Sequence, residues 1–209
     1  ITARDFPFLG CCYGIGILGK HLGGTVAKGR YGEPVGTSAC RVVENDPLLA
    51  GVAGEFDAFV GHKEAMEDLP GGCVHLVESP ACPFQMVRHG ANVYATQFHP
   101  EADAAGFETR IRIYRHKGYF APEEADGLIG MCRAAEAARH GARSLARPGS
   151  VAGGQADVHA AFLELLAHPP QAVGAQPAHV DLGLGIGEAG GVLVGKQVKI
   201  DIEVQAVAQ

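Results

Sequence analysis

The feature that most constrains the fold lies within residues 6–22. Residues 6–9, Phe-Pro-Phe-Leu, are a short apolar run that predicts a buried strand, and residues 15–22 predict a helix that ends before a Gly-Gly pair. Only residues 10–14, Gly-Cys-Cys-Tyr-Gly, separate the two elements. A strand that enters a helix through a tight turn is the beginning of an α/β unit, so the sequence predicts an α/β fold.

This turn has the pattern G-x-C-x-G, the cysteine form of the nucleophile elbow, with Cys12 at its centre. Gly10 and Gly14 are expected to relieve crowding around a strained backbone, and a helix N-terminus favours thiolate over thiol. The N–H of Tyr13 can then donate to a developing oxyanion. A free cysteine is more often an inert buried residue, but this context predicts Cys12 as a nucleophile and the adjacent Cys11 as inert.

A candidate base follows a second apolar run. Residues 93–101 read Val-Tyr-Ala-Thr-Gln-Phe-His-Pro-Glu, so a predicted strand ends at His99 and Glu101. A cysteine nucleophile needs a base, and a histidine base needs a carboxylate to fix its tautomer. Residues two apart in extended chain point the same way, and Pro100 restricts the backbone between them. Alone, the His-Pro-Glu sequence is more typical of an exposed loop, but the upstream turn favours a catalytic pair.

The remaining sequence predicts several short strands and two helices. Asn45-Asp46-Pro47 predicts a turn and a helix start, and residues 90–92 predict a hairpin turn. Together these signals predict an α/β sheet with a small antiparallel excursion. The predicted strands are residues 38–44, 56–60, 74–78, 86–89 and 93–98, and the predicted helices are residues 102–116 and 123–139.

The composition changes after residue 139, where Ala, Gly, Pro, Gln and His predominate. We therefore expect a domain at residues 1–139 and a tail of uncertain structure at residues 140–209, with an alternating strand pattern at residues 198–205. The sequence starts at Ile1 rather than Met and enters its first strand within a few residues. We expect from this that an N-terminal portion carrying the first strands of the sheet is missing.

Charge, hydropathy and cysteine spacing argue against several functions. A net charge of −6 gives no electrostatic footprint for nucleic acid or anionic membrane, and the sequence has neither a membrane-spanning apolar run nor a secretory signal. The six cysteines form no C-x-x-C pair, so we expect no zinc site and no disulfide framework. Reduced thiols favour a cytoplasmic location.

Two glycine patterns suggest a dinucleotide site. Residues 14–19 and 185–190 both match G-x-G-x-x-G. With 30 glycines in the chain such matches arise by chance, and three residues separate the first pattern from its strand. Nucleotide binding is therefore the weakest hypothesis.

Residues 7–14 and 97–101 together resemble the two signatures of class I, or triad, glutamine amidotransferases. Residues 60–64, followed by Leu69 and Pro70, resemble the segment that closes over glutamine in the GMP synthase-like branch. The resemblance covers about residues 6–135. It implies a flavodoxin-like α/β sheet with flanking helices and hydrolysis of glutamine through a cysteine thioester, without a cofactor.

The same resemblance assigns roles to individual residues. It implies that Cys12 is the nucleophile, that His99 is the general base and then the acid, and that Glu101 orients His99. Tyr13 would provide an oxyanion N–H, with Gly10 and Gly14 shaping the turn. His62 would line the glutamine site, although an ordinary polar loop residue is nearly as good an interpretation.

The sequence departs from the family pattern in two places. Gly16 occupies the position where the family commonly has a glutamine that helps to hold the substrate, and the glycine-rich loop that supplies a second oxyanion donor precedes the turn in the family. No ATP-binding signature is present, so the resemblance implies a separate synthetase subunit as ammonia acceptor. The alternatives are a γ-glutamyl amide hydrolase on the same scaffold and a non-catalytic amidotransferase-like protein.

Overall fold

The computed structural model describes residues 1–52 and 54–145, and the side chains of this part as far as residue 137. It contains a six-stranded sheet and three α-helices, which confirms the predicted α/β class. In chain order the elements are β1 (Phe8–Cys11), α1 (Tyr13–His21), β2 (Val26–Val42), β3 (Glu55–Met66), β4 (Cys73–Glu78), β5 (Met86–His89), β6 (Val93–Thr96), α2 (Ala104–Tyr114) and α3 (Ala125–Leu145).

The strand order is β1-β6-β5-β4-β2-β3. β1 and β6 run parallel, and every other neighbouring pair is antiparallel. Antiparallel pairing therefore dominates the sheet, whereas the sequence predicted only a small antiparallel excursion. The difference arises because the strands after β1 follow one another along the chain through short connections, such as the turn at Gly90 (φ 63°) between β5 and β6.

The largest difference from the predicted elements lies in β2 and β3. β2 has 17 residues and β3 has 12, whereas the sequence indicated strands only at residues 38–44 and 56–60. Gly29, Gly32 and Pro34 are breakers that hide the first half of β2 from a pattern analysis. In the structure these residues form an irregular stretch, and the pairing with β3 shifts register on both sides of Glu33.

The helices lie close to their predicted positions. α1 starts two residues earlier than expected, directly after Cys12, and α2 and α3 overlap the two predicted helices. Asp103 caps α2, because its side chain accepts a hydrogen bond from Gly106 N at 2.7 Å. Among the described helices, none combines the length and the hydropathy needed to span a bilayer.

The core joins these helices to the sheet. α1 buries Ile15 and Leu18 in one cluster with Met66, Val87 and Val93 of the strands. α2 and α3 bury a second cluster, in which the rings of Phe59 and Phe107 stack with centroids 4.7 Å apart. Each such aromatic or aliphatic side chain stabilises the fold by about 1.5–3 kcal/mol. The helices are thereby fixed on the strands that carry the turn at Cys12.

We expect that Gly10→Ala lowers the free energy of unfolding by about 1–3 kcal/mol, because the site is too crowded for a side chain. A Cβ on Gly10 would lie 2.9 Å from Phe8 Cε1 and 3.0 Å from Gly14 Cα. The matched control is Gly130→Ala in α3, where a Cβ meets nothing within 4 Å and should stabilise the helix by up to about 1 kcal/mol. Chemical denaturation measures both variants. Equal stability of the two would contradict the packing described here.

Candidate active site

The turn between β1 and α1 places Cys12 in a strained conformation. Cys12 has φ 49° and ψ −89°, and only Asp5 among the other non-glycine residues described has a positive φ. Such a conformation costs about 1–3 kcal/mol, and it persists where the surrounding structure enforces it, often at functional sites. The Cys12 side chain is half-buried, and the N-terminus of α1 begins immediately after it at Tyr13.

The parallel pairing of β1 and β6 brings the two sequence motifs together. Cys11 at the end of β1 is in register with Thr96 at the end of β6, and Cys12 N donates to Thr96 O at 2.7 Å. The chain that leaves β6 must therefore pass beside Cys12. Gln97, which is almost fully buried, points its Nε2 at Cys12 Sγ from 3.9 Å.

His99 and Glu101 form the pair predicted from the sequence. His99 Nδ1 lies 2.7 Å from Glu101 Oε1, and His99 is only 4% exposed. Its backbone N donates to Phe59 O at 2.9 Å, and its ring packs edge-to-face on Phe107 with centroids 5.5 Å apart. The imidazole is thus held between β3, α2 and the carboxylate, in the tautomer that leaves Nε2 for Cys12.

Charge around His99 favours its protonated form. Burial, the strongest single influence, lowers the pKa of His99, but hydrogen bonds and charge from Cys12 and Glu101 together outweigh burial and raise the pKa to about 9. Burial likewise raises the pKa of Glu101, and the hydrogen bond and charge of His99 outweigh it, so that this carboxyl titrates below its usual range. The arrangement supports a thiolate and imidazolium pair at neutral pH.

We expect the pKa of His99 to fall well below about 9 in Cys12→Ala, because burial then acts against Glu101 alone. NMR titration of the imidazole measures this. A histidine with a raised pKa stabilises the fold below the unfolded value of about 6.5, and this contribution is lost as pH rises through about 9. Stability of the wild type should therefore fall more steeply over this range than that of Cys12→Ala. An unchanged pKa in the variant would contradict the pairing.

Cys11 is chemically distinct from Cys12 despite its position next to it. Burial, followed by the charge of the nearby Glu101, raises the pKa of the Cys11 thiol far above its usual range. Burial also raises the pKa values of Cys40 and Cys82. These three cysteines therefore stay protonated near neutral pH, as the sequence predicted for Cys11.

Arg110 of α2 is a neighbour of His99 that the sequence did not indicate. Its Nη1 lies 3.1 Å from His99 Nε2 and 3.4 Å from Nδ1. Nearly equal distances to both ring nitrogens mean that Nη1 is not aligned with either lone pair, so the contact is with the ring as a whole. The guanidinium charge opposes a second positive charge on His99, and an anionic ligand beside Arg110 would relieve this repulsion.

The structure separates His62 from the other predicted site residues. The His62 ring is buried, with Nε2 2.9 Å from Glu33 Oε2 and Nδ1 2.9 Å from Glu64 O. It borders a cavity of about 360 Å³ whose lining includes neither Cys12 nor His99. The proposed contact of His62 with glutamine stays a prediction.

Gly10, Gly14 and Tyr13 lie where the turn pattern placed them. The space at Gly10 is closed to a side chain by Gly14 Cα, whereas Gly14 itself has open space around a Cβ. Tyr13 is the first residue of α1, so its N–H belongs to the helix-terminal donors that lack an acceptor within the helix. This donor lies one residue after Cys12, where an oxyanion would form.

The chain is similar to known proteins over its first half. The family model described as glutamine amidotransferase class-I matches residues 1–113. A GMP synthase (glutamine-hydrolyzing) from Thermosipho africanus is 35% identical over 112 residues, which are 53% of this chain and 21% of that protein. A separate GMP synthase (glutamine-hydrolyzing) subunit from Archaeoglobus fulgidus is 33% identical over 113 residues, 54% of this chain and 60% of that protein.

Solved structures extend the similarity to the fold. A glutamine amidotransferase from Thermotoga maritima superposes with a TM-score of 0.62 at 21% sequence identity, covering 78% of this chain and 63% of that one. At this identity the likeness shows the fold alone. The matched segment spans only 21% and 60% of the length of the two relatives named above.

Proposed function

Because the chain belongs to the class I glutamine amidotransferases, we propose that it hydrolyses glutamine to glutamate and ammonia, with Cys12 as the nucleophile. One observation carries the proposal: the structure assembles a strained cysteine turn beside a buried histidine that is bonded to a carboxylate at 2.7 Å. A nucleophile, a base and an orienting acid are the groups that amide hydrolysis through a thioester requires.

The proposed reaction has two halves. The Cys12 thiolate attacks the side-chain carbonyl carbon of glutamine, and the Tyr13 N–H at the start of α1 stabilises the oxyanion. Protonated His99 gives its proton to the leaving nitrogen, so ammonia departs and a γ-glutamyl thioester remains. His99, now neutral, takes a proton from water, which attacks the thioester to release glutamate and regenerate the thiolate. Glu101 holds the ring through both halves.

We also propose that Gln97 supports the thiolate. Its amide is directed at Cys12 Sγ from 3.9 Å, and a donor at this position favours the charged form of the sulfur. The Gln97 backbone is fixed in turn, because its N–H donates to Gln85 O at 2.8 Å. The side chain therefore has a defined position on the sulfur.

The ammonia acceptor in this proposal is a separate synthetase subunit. Relatives from Archaeoglobus fulgidus, Thermococcus kodakarensis and Haloquadratum walsbyi are each named as one subunit of GMP synthase (glutamine-hydrolyzing). These names support an assembly in which the glutaminase and the synthetase are different chains. Binding of such a subunit should raise the glutaminase rate, and its absence should leave slow basal hydrolysis.

The direct test is an assay of the purified chain with glutamine, in which glutamate and ammonia are measured separately. Equal amounts of the two products would support the proposal. A γ-glutamyl alkylamide serves as the competing substrate. Faster hydrolysis of the alkylamide than of glutamine would overturn the assignment in favour of a γ-glutamyl amide hydrolase, and hydrolysis of neither by folded protein would support a non-catalytic relative.

A further inference from the structure

A buried cluster apart from Cys12 combines three side chains that metals favour. Glu33 of β2, His62 of β3 and Cys82 of the loop between β4 and β5 each direct one ligand atom into a common space, with all of these atoms within 4.8 Å of one another. All three residues are buried. Carboxylate, imidazole and thiolate together suit Zn²⁺ and neighbouring transition metals.

The His62 ring is oriented as a metal-bound histidine would be. Its Nδ1 lies 2.9 Å from Glu64 O, a backbone carbonyl that can only accept, so Nδ1 donates. Nε2 then faces Glu33 Oε2 at 2.9 Å, and a proton or a metal ion must lie between the two atoms. Metal-ligating histidines usually donate their other N–H to a carbonyl or a carboxylate, as His62 does.

The Glu33 carboxylate is held from its other side. Glu33 Oε1 accepts hydrogen bonds from Ser38 Oγ at 2.7 Å and from Ser79 Oγ at 3.0 Å. These bonds fix the orientation of the carboxylate whether a proton or a metal ion occupies the side of Oε2. Supporting hydrogen bonds of this kind typically surround metal ligands.

The same cluster contains a buried oxygen without a hydrogen-bond partner. Gln85 is fully buried, and its Nε2 donates to Glu33 Oε2 at 2.5 Å and to Ser79 Oγ at 3.0 Å. Its Oε1 has no hydrogen-bond partner in the part of the chain that the structure describes. An unsatisfied buried acceptor costs about 1–3 kcal/mol, and a metal ion or a metal-bound water would satisfy it.

We propose that Glu33, His62 and Cys82 bind a divalent transition metal ion, with Zn²⁺ the best match to the ligand set. The ion would displace the proton between His62 and Glu33 and the thiol proton of Cys82, releasing both to solvent. Two protons leave and two positive charges enter, so the net charge of the buried cluster does not change. The exchange thus avoids the large cost of burying an uncompensated charge.

The site is accessible and needs only a small contraction. Glu33 and His62 border the cavity of about 360 Å³, together with Gly32, Gly61 and Lys63, which gives an ion a route to the cluster. Bonds of about 2.0–2.3 Å to Zn²⁺ require the ligand atoms to move closer together than 4.8 Å. A water molecule or Gln85 Oε1 would complete a tetrahedral set.

Cysteine spacing gave no sign of this site, and the sequence predicted no zinc site. The three residues are 29 and 20 positions apart, at residues 33, 62 and 82, and only the irregular pairing of β2 with β3 brings Glu33 opposite His62. The inference goes beyond glutamine hydrolysis, which is proposed at a different set of residues.

Titration of the full metal-free chain with Co²⁺, followed by visible and near-ultraviolet absorption, tests the proposal. We expect one ion per chain, tetrahedral d–d bands and a thiolate-to-cobalt charge-transfer band, all displaced by Zn²⁺. Cys82→Ser should abolish the charge-transfer band, and His62→Gln should weaken binding at least tenfold. Cys132→Ser, which changes another fully buried cysteine, is the matched control and should bind as the wild type does.

Thermal unfolding shows whether each variant is folded and gives a second readout. Zn²⁺ should raise the Tm of the wild type and of Cys132→Ser but not the Tm of Cys82→Ser. Absence of the cobalt bands in the wild type would overturn the proposal. Persistence of the charge-transfer band in Cys82→Ser, or an equal Zn²⁺-induced rise in Tm in that variant, would also overturn it.

Discussion

Replacing Cys12 by alanine is expected to abolish glutamine hydrolysis, lowering kcat by on the order of 10⁴-fold or more. The reason is that no other group can form the thioester: Cys11 lies next to Cys12 but is kept protonated by burial and by Glu101. Loss of the nucleophile in a catalytic triad leaves only the contribution of binding and of the oxyanion donors. The measurement is glutamate production under saturating glutamine, with product quantified by mass spectrometry.

The fold should survive this substitution. Cys12 is half-buried, and its backbone bond to Thr96 O does not depend on the side chain. Cys73→Ala on β4 is the matched control, since this cysteine is also half-buried and its sulfur contacts His89 rather than the triad. It should keep full activity. Activity of Cys12→Ala within tenfold of the wild type would remove Cys12 from the mechanism.

Replacing His99 by glutamine is expected to lower kcat by on the order of 10³-fold or more. Without the imidazole, no group protonates the leaving nitrogen or takes the proton from water. The thiolate also loses the positive partner that the pKa of about 9 at His99 provides at neutral pH. Alkylation of Cys12 by a small neutral electrophile should therefore slow as well, and its rate should rise with pH in the variant.

The control for this prediction is His116→Gln, an exposed histidine beyond the end of α2. It should change neither kcat nor the alkylation rate. Glu101→Gln provides an intermediate case, because the ring is retained while the charge that stabilises its protonated form is lost. Equal activity of His99→Gln and His116→Gln would show that His99 is not the base.

Local sequence rules were sufficient for the parts of the site that lie on single elements. The turn at Cys12 follows from two glycines between a strand and a helix, and the strained φ of 49° is the consequence. The pairing of His99 with Glu101 follows from their spacing of two residues, and the structure confirms it at 2.7 Å. The same spacing, extended back from His99, indicates Gln97, whose contact with Cys12 was not predicted.

Residues that depend on long-range packing could not be predicted in this way. Arg110 reaches His99 only because α2 packs on β3 through Phe107 and Phe59, a contact that no local pattern encodes. The length of β2 was missed because its glycines and proline mimic a loop, although pairing with β3 overrides their propensity. The buried environment of His62 arises from that same pairing.

The expectations for residues 140–209, including the strand pattern at residues 198–205, concern a part of the chain that is mostly outside the described residues. The expected boundary at residue 139 falls within α3, which continues to Leu145. The domain division therefore stays a prediction. Limited proteolysis with mass mapping would test it, and a stable fragment ending between residues 139 and 145 would agree with both the composition change and the helix.

The most direct test of the central proposal is labelling of the chain with a diazo-ketone analogue of glutamine, followed by peptide mass mapping. We predict a single adduct on Cys12, none on Cys11, and protection by excess glutamine. That result would identify the nucleophile and the substrate class together. A folded protein that acquires no adduct on Cys12, or an adduct that glutamine does not block, would contradict the proposal.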